Sequence, residues 1–196
     1  MNKFDNIDVA EINSFLYGPN DLKNFNCGNQ AINQFLINDA SESDKQFQSV
    51  TQVFFEKDTG EVIGFCSTVI DILSITYMND IKYFVSDYIE SVQNGLSENL
   101  NVPVLHLLFL GVDLKYQHLH VGTAIINYLF DKFSDAYLND KTGLAGIKVD
   151  AFPDAIEFYD KFRFFYLSGS DNDFSIPRKT YPMIKQAISI ISSQYK

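Results

Sequence analysis

One apolar run near the middle of the chain restricts the fold more than any other feature. It extends from Val102 to Val112, and His106 is its only ionisable residue. The run is much shorter than the about 20 residues that a helix needs to cross a bilayer. A strand that is apolar at successive positions is normally covered on both faces. We therefore expect Val104 to Val112 to form a central strand that is buried on both sides.

The periodicity of the remaining segments predicts both helices and strands. Helical spacing runs from about Gln30 to Asn38, after a turn that ends in the capping residue Asn29. Two alternating segments joined by a turn then predict a hairpin, and a β-α-β-α-β succession comes later. The fold class is thus α/β or α+β around one mixed sheet. The predicted elements are the hairpin strands 48–55 and 61–70, the helices 122–133 and 153–162, and the strands 146–151, 164–167 and 180–184.

Length and charge limit the domain organisation and the class of partner. The 196 residues favour one domain over 1–196, with a helical insertion around 79–101, because no linker divides the chain. The 25 acidic and 15 basic residues give a net charge of −10, which disfavours contact with nucleic acid. Two cysteines and an N-terminus without an apolar signal predict a cytoplasmic protein with no membrane segment.

The segment after the central strand contains a possible anion site. A short polar loop leads to Gly122, which opens a strongly amphipathic helix. The first amides of a helix lack internal partners and the helix dipole favours negative charge, so a phosphate group would fit there. Without further evidence, an ordinary connection between a strand and a helix is the simpler explanation, because a single glycine does not define an anion site.

Three ordered blocks of the sequence resemble the GNAT superfamily of N-acetyltransferases. Gln117-x-x-His120-x-Gly122 is similar to its acetyl-CoA loop, Gln/Arg-x-x-Gly-x-Gly/Ala. The stretch from Ala155 to Phe164 resembles the family's A-x-x-F-Y-x-x-x-G-F helix and strand. The block Phe25-Asn26-Cys27-Gly28-Asn29, followed by Ile32, Phe35 and Leu36, resembles a branch that includes toxin-type enzymes that acetylate aminoacyl-tRNA.

The resemblance implies a single GNAT-like domain with a mixed, mostly antiparallel central sheet flanked by helices. It implies acetyl-CoA as the cosubstrate, with Tyr159 as the general acid that protonates the departing thiolate. Two departures concern glycines of the family pattern, since His120 and Arg163 replace them. The implied cofactor-binding residues are Leu110, Gly111 and Val112 beside the pantetheine arm, and Gln117, His118, Leu119, His120, Val121, Gly122 and Thr123 around the pyrophosphate.

Several candidate residues have a structural alternative. Tyr159 also fits a core aromatic beside Phe158 and Phe162. His106 is a candidate general base because histidine exchanges protons near neutral pH, and a hydrogen-bonded core histidine is the alternative. No set of residues at ligand spacing supports a metal site, and both cysteines are expected to be structural thiols.

Three functions are compatible with the sequence. The first is direct acetylation of a primary amine on a small molecule or protein, since an acidic surface attracts a cationic acceptor. The second is acetylation of aminoacyl-tRNA, which the net charge opposes. The third is an inactive GNAT-like binding module, which the substitutions His120 and Arg163 suggest. The sequence leaves the acceptor, a monomer or a homodimer, and an antitoxin partner undecided.

Overall fold

The computed structural model describes residues 6–16, 22–75, 100–167 and 179–194. Most of the helical insertion predicted around 79–101 therefore lies outside the described residues, as does the polar turn predicted at 169–173. The prediction was wrong at positions 100 and 101, which begin a strand. Among the described residues, no helix is long and apolar enough to cross a membrane.

Among the described residues, seven strands form a sheet, and they hydrogen-bond in the order β1-β2-β3-β4-β5-β7-β6. Antiparallel pairing joins β1 to β2, β2 to β3, β5 to β7 and β6 to β7. The mixed α/β class and the predicted hairpin, now β2 and β3, are thereby confirmed. The strands are β1 Ile7–Glu11, β2 Val50–Glu56, β3 Val62–Ile75, β4 Leu100–Val112, β5 Gly146–Ala151, β6 Phe165–Tyr166 and β7 Tyr181–Gln186.

The α-helices in the described part of the chain are α1 Ile12–Leu16, α2 Gln30–Gln34, α3 Ala40–Lys45, α4 Val121–Asp140, α5 Ile156–Lys161 and α6 Ala187–Gln194. A π-helical turn, Phe35–Asp39, joins α2 to α3, so the helical stretch extends beyond its predicted end at Asn38. Its predicted cap is confirmed, because the Asn29 side chain accepts hydrogen bonds from the amides of Ala31 and Ile32 at 3.0 and 3.3 Å. Short 3₁₀ turns occupy Leu114–Tyr116 and Pro153–Ala155.

The chain divides into two compact units, residues 1–69 with 107–129 and residues 70–106 with 130–196. Single-domain organisation over 1–196 therefore stays a prediction. The first unit has an aromatic core. The rings of Phe35 and Phe109 stack with their centroids 4.0 Å apart, and the rings of Phe25 and Phe65 pack edge to face with their centroids 5.6 Å apart. The helical segments from 12 to 45 supply much of this core, together with β2 and β3.

The second unit is built on the remaining strands. Val104, Leu167 and Ile184 form the buried centre of one cluster, which includes Leu73 and Phe165 as partly buried neighbours. β7 lies between β5 and β6 and pairs Ile184 with both Lys148 and Phe165. Three strands therefore bring side chains to the same side of the sheet, because residues that pair directly across strands share a face.

We expect Gly64→Ala to destabilise the protein by about 1–3 kcal/mol, the usual cost of overpacking. A Cβ at Gly64 would lie 2.9 Å from the carbonyl oxygen of Gly111 and 2.9 Å from Cδ1 of Ile125, and the backbone oxygen cannot rotate away. Chemical denaturation would measure the change. Gly143→Ala is the matched control, since its Cβ would meet nothing within 4 Å. Equal stabilities of the two variants would contradict the packing argument.

Candidate functional site

A buried carboxylate, Asp113, organises the loop that follows β4. The residue is 5% exposed, its Oδ2 accepts a hydrogen bond from the amide of Asn26 at 2.9 Å, and its Oδ1 accepts one from the amide of Lys115 at 3.0 Å. Its carbonyl oxygen accepts the amides of Tyr116 and Gln117 at 2.8 and 3.1 Å. One residue therefore fixes the first turn of the loop and also binds a segment nearly ninety positions earlier in the chain.

The block 25–29 is held against this loop by its backbone. The amide of Leu114 donates to the carbonyl oxygen of Asn26 at 2.9 Å. The Gln117 side chain donates through Nε2 to the carbonyl oxygens of Cys27 and Val112, both at 3.0 Å. Gln117 was predicted as a cofactor-binding residue, and in the structure its side chain joins the end of β4 to the N-terminal block. Two of the three resemblance blocks thus meet within the first unit.

Six consecutive amides in the same loop, from His118 to Thr123, donate to no acceptor among the described residues. The amide of Gln117, which was predicted with them, is engaged by Asp113. The last three of the six belong to the first turn of α4, a helix of 20 residues. Successive free amides at a helix N-terminus are the donors that phosphate groups bind in proteins.

Two histidines in the loop adopt backbone angles that are usually found at glycine. His118 and His120 have φ values of 60° and 65°, in the left-handed region that is unfavourable for residues with a Cβ. A Cβ at position 120 disfavours the positive φ that glycine tolerates, and the structure shows that His120 adopts this conformation nevertheless. Both side chains are exposed. The substitution of the family's glycine therefore leaves the path of the backbone intact.

The predicted pantetheine segment, Leu110 to Val112, is the last part of β4. Gly111 is buried there, and a Cβ at this position would lie 2.7 Å from Cε1 of Phe65 and 3.1 Å from Cγ2 of Ile32. Packing against the aromatic core thus requires glycine at this position, independently of any cofactor.

The second predicted catalytic region lies in the other unit, on α5. Tyr159 is 6% exposed, and its ring meets those of Phe158 and Phe164 at 5.1 and 5.5 Å. Its carbonyl oxygen accepts the amides of Phe162 and Phe164 at 3.0 and 3.2 Å, which closes the end of the helix. Arg163 occupies the helix-ending position that glycine usually holds, with a φ of 60°. The second glycine replacement therefore also keeps the conformation that glycine would adopt.

A buried lysine that the sequence analysis missed supports the end of α5. Lys185 is 5% exposed, and its Nζ donates to the carbonyl oxygen of Phe162 at 2.8 Å and to Oγ of Ser189 at 3.3 Å. The same nitrogen lies 5.2 Å from the centre of the Phe130 ring. Burial, and to a lesser extent the charge of Arg163, lowers the pKa of Lys185. No local pattern marked this residue, since its strand reads as apolar.

His106 lies in a cluster of four ionisable side chains in the second unit. Its Nδ1 is 3.3 Å from Oδ2 of Asp71 on β3, and its Nε2 is 3.0 Å from Oδ2 of Asp150 on β5. Lys148 on β5 completes the cluster, with Nζ at 3.3 Å from Asp150 and 3.8 Å from Asp71. The hydrogen bond from His106, opposed by burial and aided by Lys148, lowers the pKa of Asp150. The hydrogen-bonded alternative for His106 therefore agrees with the geometry.

The two thiols differ in their surroundings. Cys66 is buried, and desolvation raises its pKa to about 12, so it is not a nucleophile at neutral pH. Cys27 is partly buried, and burial likewise raises its pKa. Within the described parts of the chain, no group of three or more His, Cys, Asp or Glu side chains is placed to hold a metal ion.

We expect Asp113→Asn to lower the free energy of unfolding by about 1–3 kcal/mol, because one buried backbone amide loses its acceptor. The amide group keeps one oxygen but places an NH₂ against the other donor. Urea denaturation would measure the change, with Asp135→Asn as a control that removes the same charge from an exposed position on α4. Equal effects in the two variants would show that charge alone, and not the hydrogen bonds of Asp113, is responsible.

No protein-family model matches the chain, and no curated protein matches it in sequence. Solved structures do match. A bacterial toxin is 22% identical with a TM-score of 0.74, over 96% of this chain and 95% of that one. The toxin AtaT bound to acetyl-methionyl-tRNAfMet is 17% identical with a TM-score of 0.72, over 97% and 99%. A mutant of AtaT bound to the C-terminus of the antitoxin AtaR and to acetyl-CoA is 16% identical with a TM-score of 0.71, over 98% and 100%.

These matches extend over almost the whole of each chain. The fold that the GNAT resemblance implied is thereby confirmed, and the chain has the fold of the toxin AtaT.

Proposed function

We propose that the protein transfers an acetyl group from acetyl-CoA directly to a primary amine. The run of six unengaged amides from His118 to Thr123, at the start of α4, carries this proposal. Donors in this arrangement bind the pyrophosphate of a nucleotide without needing a basic side chain. The overall charge of −10 is therefore no obstacle to binding the cofactor.

The proposed roles of the individual residues follow from their chemistry. The backbone of Leu110 to Val112 binds the pantetheine arm, and the amides after Gln117 bind the pyrophosphate. Tyr159 donates its phenolic proton to the thiolate of CoA as it departs. A thiol with a pKa of about 8.5 and a phenol with a pKa of about 10 are close enough for this transfer to be useful.

An inactive binding module is the less favoured function. This function was suggested by the replacement of two family glycines by His120 and Arg163. Both residues hold φ values that glycine would adopt, 65° and 60°, so the substitutions do not explain a loss of activity through backbone shape.

The acceptor is proposed to be a small molecule or a protein, with aminoacyl-tRNA as a second candidate. The block 25–29 and the fold shared with AtaT, which one structure holds with acetyl-methionyl-tRNAfMet, favour the second candidate. The excess of acidic residues opposes it, because tRNA binding normally depends on clustered Lys and Arg. Transfer from radiolabelled acetyl-CoA to polyamines, to peptides and to charged tRNA would separate the candidates. If charged tRNA is acetylated, an antitoxin-type partner is the next interaction to test.

Calorimetric titration with acetyl-CoA tests the cofactor site, and Gly122→Asp should abolish the binding. The new carboxylate would repel the pyrophosphate, while an acidic residue in the first turn of α4 favours the helix itself. Gly122→Asn is the matched control, because it has nearly the same shape without the charge. We expect Asp to weaken binding by at least about tenfold, or 1.4 kcal/mol, relative to Asn. Equal affinity of both variants would remove the pyrophosphate from this loop.

Tyr159→Phe should lower turnover by about 10²–10⁴, the usual contribution of a general acid. The ring contacts with Phe158 and Phe164 do not involve the hydroxyl, so acetyl-CoA affinity should stay unchanged. Phe158→Leu in the same aromatic cluster controls for a packing effect. Turnover of Tyr159→Phe equal to that of the unaltered protein would exclude the catalytic role of Tyr159.

A further inference from the structure

The four side chains of the cluster around His106 differ in their exposure to solvent, and none of them has a role in the acetyl transfer proposed above. The side chains of His106 and Lys148 are the more buried, with exposures of 12% and 16%. The carboxylates are much more open, at 42% for Asp71 and 39% for Asp150. The accessible part of the cluster is therefore formed by the carboxylates, and His106 and Lys148 contact them from more buried positions.

The two carboxylates differ in how many further hydrogen bonds they can accept. Asp71 uses Oδ1 to accept the amide of Ile72 at 2.8 Å and Oδ2 to contact His106. In Asp150, His106 and Lys148 both contact the same oxygen, Oδ2. An ionised carboxylate accepts about four hydrogen bonds across its two oxygens. Within the described parts of the chain, no contact is recorded at Oδ1 of Asp150, so the open acceptor capacity of the cluster is concentrated at this atom.

His106 is committed to the carboxylates through both of its ring nitrogens. Each ring nitrogen lies against a carboxylate oxygen, Nδ1 at 3.3 Å from Asp71 and Nε2 at 3.0 Å from Asp150, so the ring is placed to orient both carboxylates. The ring positions Asp150, and Asp150 is the side chain that can meet a substrate.

We propose, on the basis of the acetyl transfer proposed above, that Asp150 binds the amine nitrogen of the acceptor through Oδ1, with His106 and Lys148 as positioning residues. An open carboxylate selects a primary ammonium group over a neutral group of the same shape. Asp150 stands at the end of β5, shortly before the helix that carries Tyr159, and all four members of the cluster belong to the same unit as Tyr159.

The chemical steps balance with this assignment. The bound ammonium first loses one proton to water, and the neutral amine then attacks the carbonyl carbon of the thioester. The C–N bond forms, the C–S bond breaks, and the thiolate takes a proton from Tyr159. The second proton on nitrogen passes to Oδ1 of Asp150 and then to water, from which Tyr159 is reprotonated. Asp150 also stabilises the positive charge that develops on nitrogen during the attack.

Direct binding, without acetyl-CoA, tests the ammonium site separately from the activity. Glycine ethyl ester carries the ammonium, and ethyl glycolate replaces it with a hydroxyl group of similar size. Titrations would be followed by NMR at the ring signals of His106, which His106→Gln assigns among the three histidines. We expect a saturable shift with glycine ethyl ester alone. Equal shifts with both esters, or none with either, would overturn the proposal, and neither outcome depends on acetyl-CoA binding.

Steady-state kinetics of a variant provide a second test of the role of Asp150. Asp150→Asn should lower kcat/KM for the amine by about 10- to 100-fold, as expected when a hydrogen bond to a charged group is lost. Its affinity for acetyl-CoA should not change, which also shows that the variant is folded. Asp154→Asn, an exposed carboxylate four positions further on, is the matched control for charge. A loss in Asp154→Asn equal to that in Asp150→Asn would reject the assignment.

Discussion

The first unit depends on the hydrogen bonds of one buried carboxylate. Asp113 lies at the point where β4 ends, and it satisfies amides from its own loop and from the block 25–29. An unpaired charge in such a place would be costly, so the loop and the block must fold together for the carboxylate to be buried at all. Gln117 adds two further bonds of the same kind. The six unengaged amides begin immediately after this fixed turn, so their direction is set before any ligand arrives.

In the second unit, aromatic packing and buried cations have comparable importance. The rings of Phe130, Phe158, Tyr159, Phe162 and Phe164 contact one another pairwise, and Lys185 lies over the Phe130 ring. Lys185 binds a carbonyl oxygen at the end of α5, where a positive charge interacts favourably with the helix dipole. Lys148 likewise contacts the carboxylates of Asp150 and Asp71. A chain with a net charge of −10 thus places two of its lysines where they orient other groups.

Much of the architecture was predictable because it depends on local pattern. The apolar run identified β4, alternation identified the hairpin, and the capping residue Asn29 identified the start of α2. The short elements β1 and α1 were missed, since five-residue segments give too few positions to establish a period. The start of β4 was predicted at Val104, whereas the strand begins at Leu100, because its first residues do not share the continuous apolar pattern.

The candidate site was predictable only in part. The loop and Tyr159 were found through sequence motifs, which record residue type and spacing. The contacts of Asp113, Asp150 and Lys185 could not be predicted. Each of these side chains contacts a residue far away in the chain, and one sequence alone does not show which distant residues lie together. The positive φ at His120 and Arg163 was likewise invisible, since propensity assigns that region to glycine.

The contrast between the two cysteines has a practical consequence. The chain has only Cys27 and Cys66, and the second is sealed in the core with a thiol that scarcely ionises. Burial raises the pKa of Cys27 as well, but this thiol is only partly buried, so a maleimide dye in alkaline buffer would react at Cys27 in preference to Cys66, without any cysteine having to be removed. That position is adjacent in structure to the loop with the unengaged amides, because the carbonyl of Cys27 is bonded to Gln117. The native protein thus contains its own attachment point for a fluorescent reporter of loop occupancy.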